Sequence, residues 1–131
     1  MENNLFYQYE DVCNYLCKVP GIRFAAIINK NGRKIAGGFS PRVIPLENDK
    51  QKIEMLFIEI ALDLLMRKEF NNSLGNIQGI VSYRDKTNIV TIPHHDNLLL
   101  LSTYPELDSA KVIQIAYQSL GHFEKREIEA I

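Results

Sequence analysis

Residues 49–70, Asp-Lys-Gln-Lys-Ile-Glu-Met-Leu-Phe-Ile-Glu-Ile-Ala-Leu-Asp-Leu-Leu-Met-Arg-Lys-Glu-Phe, restrict the possible folds of this chain more than any other stretch. Their spacing predicts one long helix with Asn48 or Asp49 as its cap. At 1.5 Å per residue it is about 33 Å long, enough to cross a small sheet. On a wheel of 100° per step, Ile53, Leu56, Phe57, Ile60 and Leu64 gather around one direction. Met55, Ile58, Leu62, Leu65 and Met66 lie roughly opposite. Glu54 and Lys68 occupy one gap between the stripes, and Glu59 and Asp63 the other. Such a helix needs two covers. A sheet is one. The second is either the chain's own 40–48 loop or another helix, or else a partner chain. An uncovered stripe of five large apolar side chains marks an interface, so the pattern favours the partner. Each side chain contributes roughly 1.5–3 kcal/mol if fully buried, before association costs. Met55 and Met66 suit a face that adapts to a partner.

The rest of the chain supplies the first cover. Leu5, Tyr9, Val12, Leu16 and Val19 recur at helical spacing, which predicts a helix over 5–18, ended by Pro20-Gly21. Residues 22–29 and 33–39 read as strands joined by Lys30-Asn31-Gly32-Arg33, with Asn-Gly signalling a type I′ turn. Gly37 and Gly38 mark a bulge or a close backbone approach. Pro41 and Pro45 keep 40–48 irregular. Gly75 stands where a left-handed cap would end the long helix. Three more strands are expected at 77–84, 88–93 and 98–104. A final helix follows over 109–122, capped by Asp108 or Ser109, with Val112, Ile113, Ala116, Leu120 and Phe123 as its core stripe. The expected class is α+β: a five-stranded antiparallel sheet in the order α-β-β-α-β-β-β-α, with helices on both faces.

At 131 residues and 15.1 kDa the chain is expected to form one domain, with a core over about 5–122 and a solvated tail over 123–131. Folding at this size buries roughly two thirds of the unfolded surface, so no staples are needed. Hydrophobic residues are 46% and charged residues 24%, which excludes a disordered chain. A net charge of −1 argues against nucleic acid or an anionic membrane as partners. The stretch from Met55 to Met66 carries Glu59 and Asp63 and is too short to span a bilayer. With no signal-like segment at the N-terminus, a cytoplasmic location is expected.

Candidates for chemistry are few. Cys13 and Cys17 share one helical face but match no familiar zinc spacing, even with His94, His95 or His122 added. They read as small, partly buried thiols. His94-His95-Asp96 reads as a polar turn whose neighbouring side chains point opposite ways. There is no phosphate loop, nucleophile elbow or His-Glu-x-x-His. No catalytic residue, metal or cofactor is expected. Lys30, Arg33 and Lys34, with Arg23, form a small basic tip on the first hairpin, either a solvated turn or a contact for an acidic partner.

The run from Val19 to Ala36, Val-Pro-Gly-Ile-Arg-Phe-Ala-Ala-Ile-Ile-Asn-Lys-Asn-Gly-Arg-Lys-Ile-Ala, resembles the opening of the Roadblock / dynein light chain family. The element order agrees, and Asn88 to Tyr104, with Pro93, Asp96 and Leu98-Leu99-Leu100-Leu101, is similar to the family's last hairpin. The resemblance spans roughly residues 8–120 and is closer to prokaryotic or archaeal members than to motor subunits. Related longin and profilin-like folds share the layout. What it implies is a non-enzymatic scaffold that pairs with itself or with a related Roadblock-like chain, and a small GTPase as a further partner. In that family the central helix and the next strand meet their copies. The implied interface here is Met55, Ile58, Leu62, Leu65 and Met66 with Gln78, Ile80 and Ser82. Two features depart from the family: a bulkier central helix and a long 40–48 loop. The alternative is a profilin- or PAS-like small-molecule sensor. It requires an apolar cavity between sheet and helices, for which the sequence offers no convergent polar set.

Overall fold

Alternating apolar runs and helical stripes resolve into nine elements. The computed structural model describes the backbone of residues 2–130 and the side chains of residues 5–121. The elements are α1 (Glu2–Cys17), β1 (Ile22–Ile28), β2 (Lys34–Phe39), α2 (Lys50–Lys68), α3 (Asn71–Leu74), β3 (Ile80–Tyr83), β4 (Asn88–His94), β5 (Asn97–Thr103) and α4 (Ser109–Ala130). The five strands form one sheet in the order β2-β1-β5-β4-β3, and every neighbouring pair is antiparallel. The α+β class and the strand count are as the sequence predicts.

Helices cover both faces. On one, Tyr9, Val12, Cys13 and Leu16 of α1 and Val112, Ala116 and Leu120 of α4 pack on Ala25, Ile27, Val90, Ile92, Leu99 and Leu101. On the other, Phe57, Ala61 and Leu64 of α2 pack on Phe24, Ala26, Ile28, Leu98 and Leu100. Strand β1 is buried at every position. A central strand covered on both faces reads as a continuous apolar run rather than an alternation. At the sheet's edge Gly37 has φ 92°, and a Cβ there would sit 2.2 Å from the Ala25 carbonyl oxygen. Its amide donates to Glu10 Oε1 at 2.8 Å, so α1 satisfies an edge donor.

Several boundaries differ from expectation. Helix α1 begins at Glu2, and Leu5 is exposed; Cys13 takes the core place instead. The first hairpin is not a two-residue type I′ turn. Gly32 donates to the Asn29 carbonyl, Arg33 closes the loop on Asn29, and only Gly32 has positive φ. The Asn29 side chain also accepts from Asn31 and Arg33 amides at 3.0 Å. This is a three-residue loop with a glycine bulge. The long helix stops at Lys68 because its last amides tighten: Glu69 donates to Met66 and Phe70 to Arg67. Asn71–Leu74 then forms a separate turn, and Gly75 closes that turn with φ 86° and ψ 170°, not a left-handed cap. At the start, Asp49 is the cap, accepting from Gln51 and Lys52 amides.

Strand β3 starts at Ile80 rather than 77. Tyr117 Oη of α4 donates to the Gln78 carbonyl at 2.6 Å, which spends that carbonyl on a helix. Gln78 therefore precedes the strand. Strands β4 and β5 reach each other across only His95 and Asp96, since His94 pairs with Asn97. Asp108 caps α4, accepting from the Ala110 amide at 3.0 Å. The α4 backbone continues to Ala130 instead of ending near 122. The expected core contribution of Phe123 lies outside the described side chains.

Candidate functional site

Helix α2 decides where the surface is unusual. Its first stripe faces the sheet: Phe57 and Leu64 are buried, and Ile53 and Ile60 pack beside them. Among the described residues its second stripe is left largely exposed, with only the hairpin tip at Gly32 set against Ile58. Ile58, the least exposed of the five, is 45% accessible, and Met66, the most, is 61%. Ile44 and Leu46, the large apolar side chains of the 40–48 loop, are themselves exposed, and none of the five stripe residues is buried beneath them. Two more large side chains, Phe70 and Leu74, stand exposed just beyond the helix. Phe70 follows Met66 at a spacing of four, a signal available in the sequence. Five half-exposed side chains make a patch at or above the roughly few hundred Å² typical of monomers.

The remaining expected interface residues lie in or beside the edge strand β3. Ile80 is half-buried against the α2 core, Ser82 is exposed, and Gln78 is exposed outside the strand. Strand β3 is an outer strand, so one side of its ladder is unpaired.

The basic tip is only partly as expected. Lys30, Arg33 and Lys34 are exposed. Gly32 between them is buried against α2, where a Cβ would lie 2.6 Å from Ile58 Cα. The tip therefore borders the uncovered stripe. Arg23 does not belong to it. It sits at the other end of β1 and is 7% exposed. Its Nη2 donates to the Ile44 carbonyl at 2.8 Å, and its guanidinium lies 5.4 Å from the centre of the Tyr104 ring.

Arg23 also lines a cleft of about 620 Å³ between the first half of α2, the 40–48 loop and the sheet. Its walls include Phe24, Phe39, Leu46 and Phe57. A second cleft of about 580 Å³ lies near Gln78, His95 and Tyr117.

Cys13 and Cys17 pack into the core between α1 and the sheet. Cys13 is buried, and burial first, then the charges of Cys17 and Glu10, push its thiol up to about 12. Cys17 is also raised, by burial, and its Sγ donates to the Gly38 carbonyl. The His94 and His95 rings do not point apart: their centres are 4.4 Å from each other, and His94 meets Tyr9 edge-on. The reason is that His95 belongs to the turn, with φ 53°, not to a strand. Among the described residues no three His, Cys, Asp or Glu side chains are placed to hold a metal ion. Asp63 bonds Arg67 at 2.9 Å on the exposed helix surface, a pair worth little. Among the described residues no helix is long and apolar enough to cross a membrane.

Among curated proteins, none matches the sequence. Solved structures match closely in shape. A Roadblock/LC7 domain from Streptomyces avermitilis superposes with a TM-score of 0.69 at 11% identity, covering 91% of this chain and 97% of its own. The gliding protein MglB from Thermus thermophilus gives 0.72 at 15% identity, covering 92% and 91%. An MglB described as having a tetrameric arrangement gives 0.74 at 16% identity, covering 96% and 92%. At these identities the likeness establishes the fold, which is that of Roadblock domains. The model of a family of unknown function, DUF6659, matches residues 1–129. This chain, Roadblock in fold and two-faced in its central helix, belongs to that family.

Proposed function

We propose that this chain is a non-enzymatic dimerisation and scaffolding module. The observation that carries the reading is the second stripe of α2: Met55, Ile58, Leu62, Leu65 and Met66 stay 45–61% exposed among the described residues. A two-fold pairing of α2 with its copy covers this stripe in both chains at once. The unpaired side of β3, with Ile80 and Ser82, extends the surface through strand-to-strand bonding, and Gln78 flanks it. A second copy or a related Roadblock-like chain supplies the matching face.

The same fold and the resemblance point to a small GTPase as the molecule that the pair anchors or regulates. Lys30, Arg33 and Lys34 beside Ile58 give such a partner's acidic surface a contact at the rim of the pairing face. A cytoplasmic location accords with this role.

The test is the mass in solution. Light scattering after size exclusion reports a dimer at low micromolar concentration, and Leu62→Glu converts it to a monomer. A wild-type monomer at all concentrations overturns the reading. A dimer that survives Leu62→Glu moves the interface off α2.

A further inference from the structure

The geometry points to a binding site for a small monoanionic carboxylate with an apolar body, in the cleft between α2 and the sheet, with Arg23 as the group that recognises the anion. Strand β1 places this arginine by an irregularity. Ile22 pairs with Thr103, but Phe24 pairs with Ser102, so Arg23 is the extra residue of a bulge. A bulge re-aims a side chain, and such bulges recur beside binding sites. Here it brings Arg23 to the cleft wall alongside Phe24.

Arg23 is more than nine-tenths buried, and its charge is poorly answered. One N–H bond to the Ile44 carbonyl and the Tyr104 ring are its side-chain contacts, while Nε is buried without a partner. Among the described residues no carboxylate pairs with the Arg23 guanidinium. Buried cations are ordinarily paired, because leaving water costs several kcal/mol. A planar guanidinium with free donors fits a carboxylate best, through two parallel bonds.

The rest of the cleft sets the body of the ligand. Its volume of about 620 Å³ is in the range of small-molecule sites. Phe24, Phe39, Phe57 and Leu100 make its apolar wall. The charged lining consists of Arg23, Lys52, Arg84 and Lys86 against Glu47, Glu59 and Asp85. Four cations and three carboxylates leave one positive charge, which one monoanion neutralises. Met55 alone is shared between this lining and the pairing stripe, so the cleft and the pairing face are separable by mutation.

The experiment uses 1-naphthaleneacetate and its neutral amide, which share one apolar body, titrated by calorimetry into the 131-residue chain. The acid binds saturably at one site per chain, and the amide binds about tenfold more weakly, the loss of one charge-assisted contact. Arg23→Gln weakens the acid by about the same factor and leaves the amide unchanged. Equal affinity of acid and amide for the wild type overturns the proposal, as does no saturable binding of the acid. So does an unchanged affinity of the acid for Arg23→Gln. A thermal melt establishes that the variant folds; if it does not, the contrast between acid and amide on the wild type decides alone.

Discussion

Leu62→Glu is the sharpest probe of the pairing face, because the residue is 54% exposed in the single chain. Its other half already packs within the helix surface, so only the exposed half awaits a partner. Full burial of a leucine contributes about 1.5–3 kcal/mol, and half of that is about 0.8–1.5. In a two-fold interface the loss counts twice, giving about 1.5–3 kcal/mol. The new carboxylates add to this, since an unpaired charge enclosed in an apolar interface costs on the order of 3–5 kcal/mol. The sum is at least about 5 kcal/mol, a factor of roughly 10³–10⁴ in the dissociation constant. A micromolar dimer becomes a millimolar one. Glutamate is a good helix former, so α2 itself is expected to survive and the far-ultraviolet dichroism to stay unchanged. Light scattering after size exclusion, run from about 1 to 100 μM, separates the outcomes. The reasoning is refuted if the wild type already has the 15.1 kDa mass of one chain. It is equally refuted if the variant remains paired while folded.

Leu64→Ala, two residues away on the sheet-facing stripe, should act on folding instead, lowering stability by about 2–5 kcal/mol in a denaturant melt. Gly37→Ala should destabilise strongly, by about 3 kcal/mol or more, since a Cβ meets the Ala25 carbonyl at 2.2 Å; Gly38→Ala, facing open space, should change the melt little. Asp49→Ala removes the acceptor for two amides of α2 and should cost about 1 kcal/mol by the same melt. Cys13 should resist thiol reagents at pH 8 in the folded protein and react at once when unfolded, because its thiol is pushed up to about 12 from 9.0. The folded state then holds a proton that the unfolded state releases, so this contribution is constant below pH 9 and is lost as pH rises toward 12, which alkaline melts will register.

Much of the fold was readable in the chain. The class, the element order and the presence of two apolar stripes on α2 follow from periodicities that act over one or two turns. Each cap was readable to within one residue, Asn48 or Asp49 and Asp108 or Ser109, and the structure selects the aspartate in both. The misreadings have a common cause. Asn31-Gly32 signals a turn, but Asn29 competes for its amides and lengthens the loop. Residues 77–79 carry a strand pattern, but Tyr117 takes the carbonyl of Gln78. Arg23 looked like part of a basic tip because the turn is near in sequence; the bulge that turns it inward exists only once β1 meets β5.

Local pattern thus decided that α2 would be apolar on opposite sides, since side-chain direction along a helix depends on spacing alone. Which side met the sheet, and that the 40–48 loop left the other bare, required the chain to close on itself. So did the cleft around Arg23. Strand register and loop path are settled by contacts between residues far apart in sequence, and those contacts, not any single segment, place a buried cation beside a hollow.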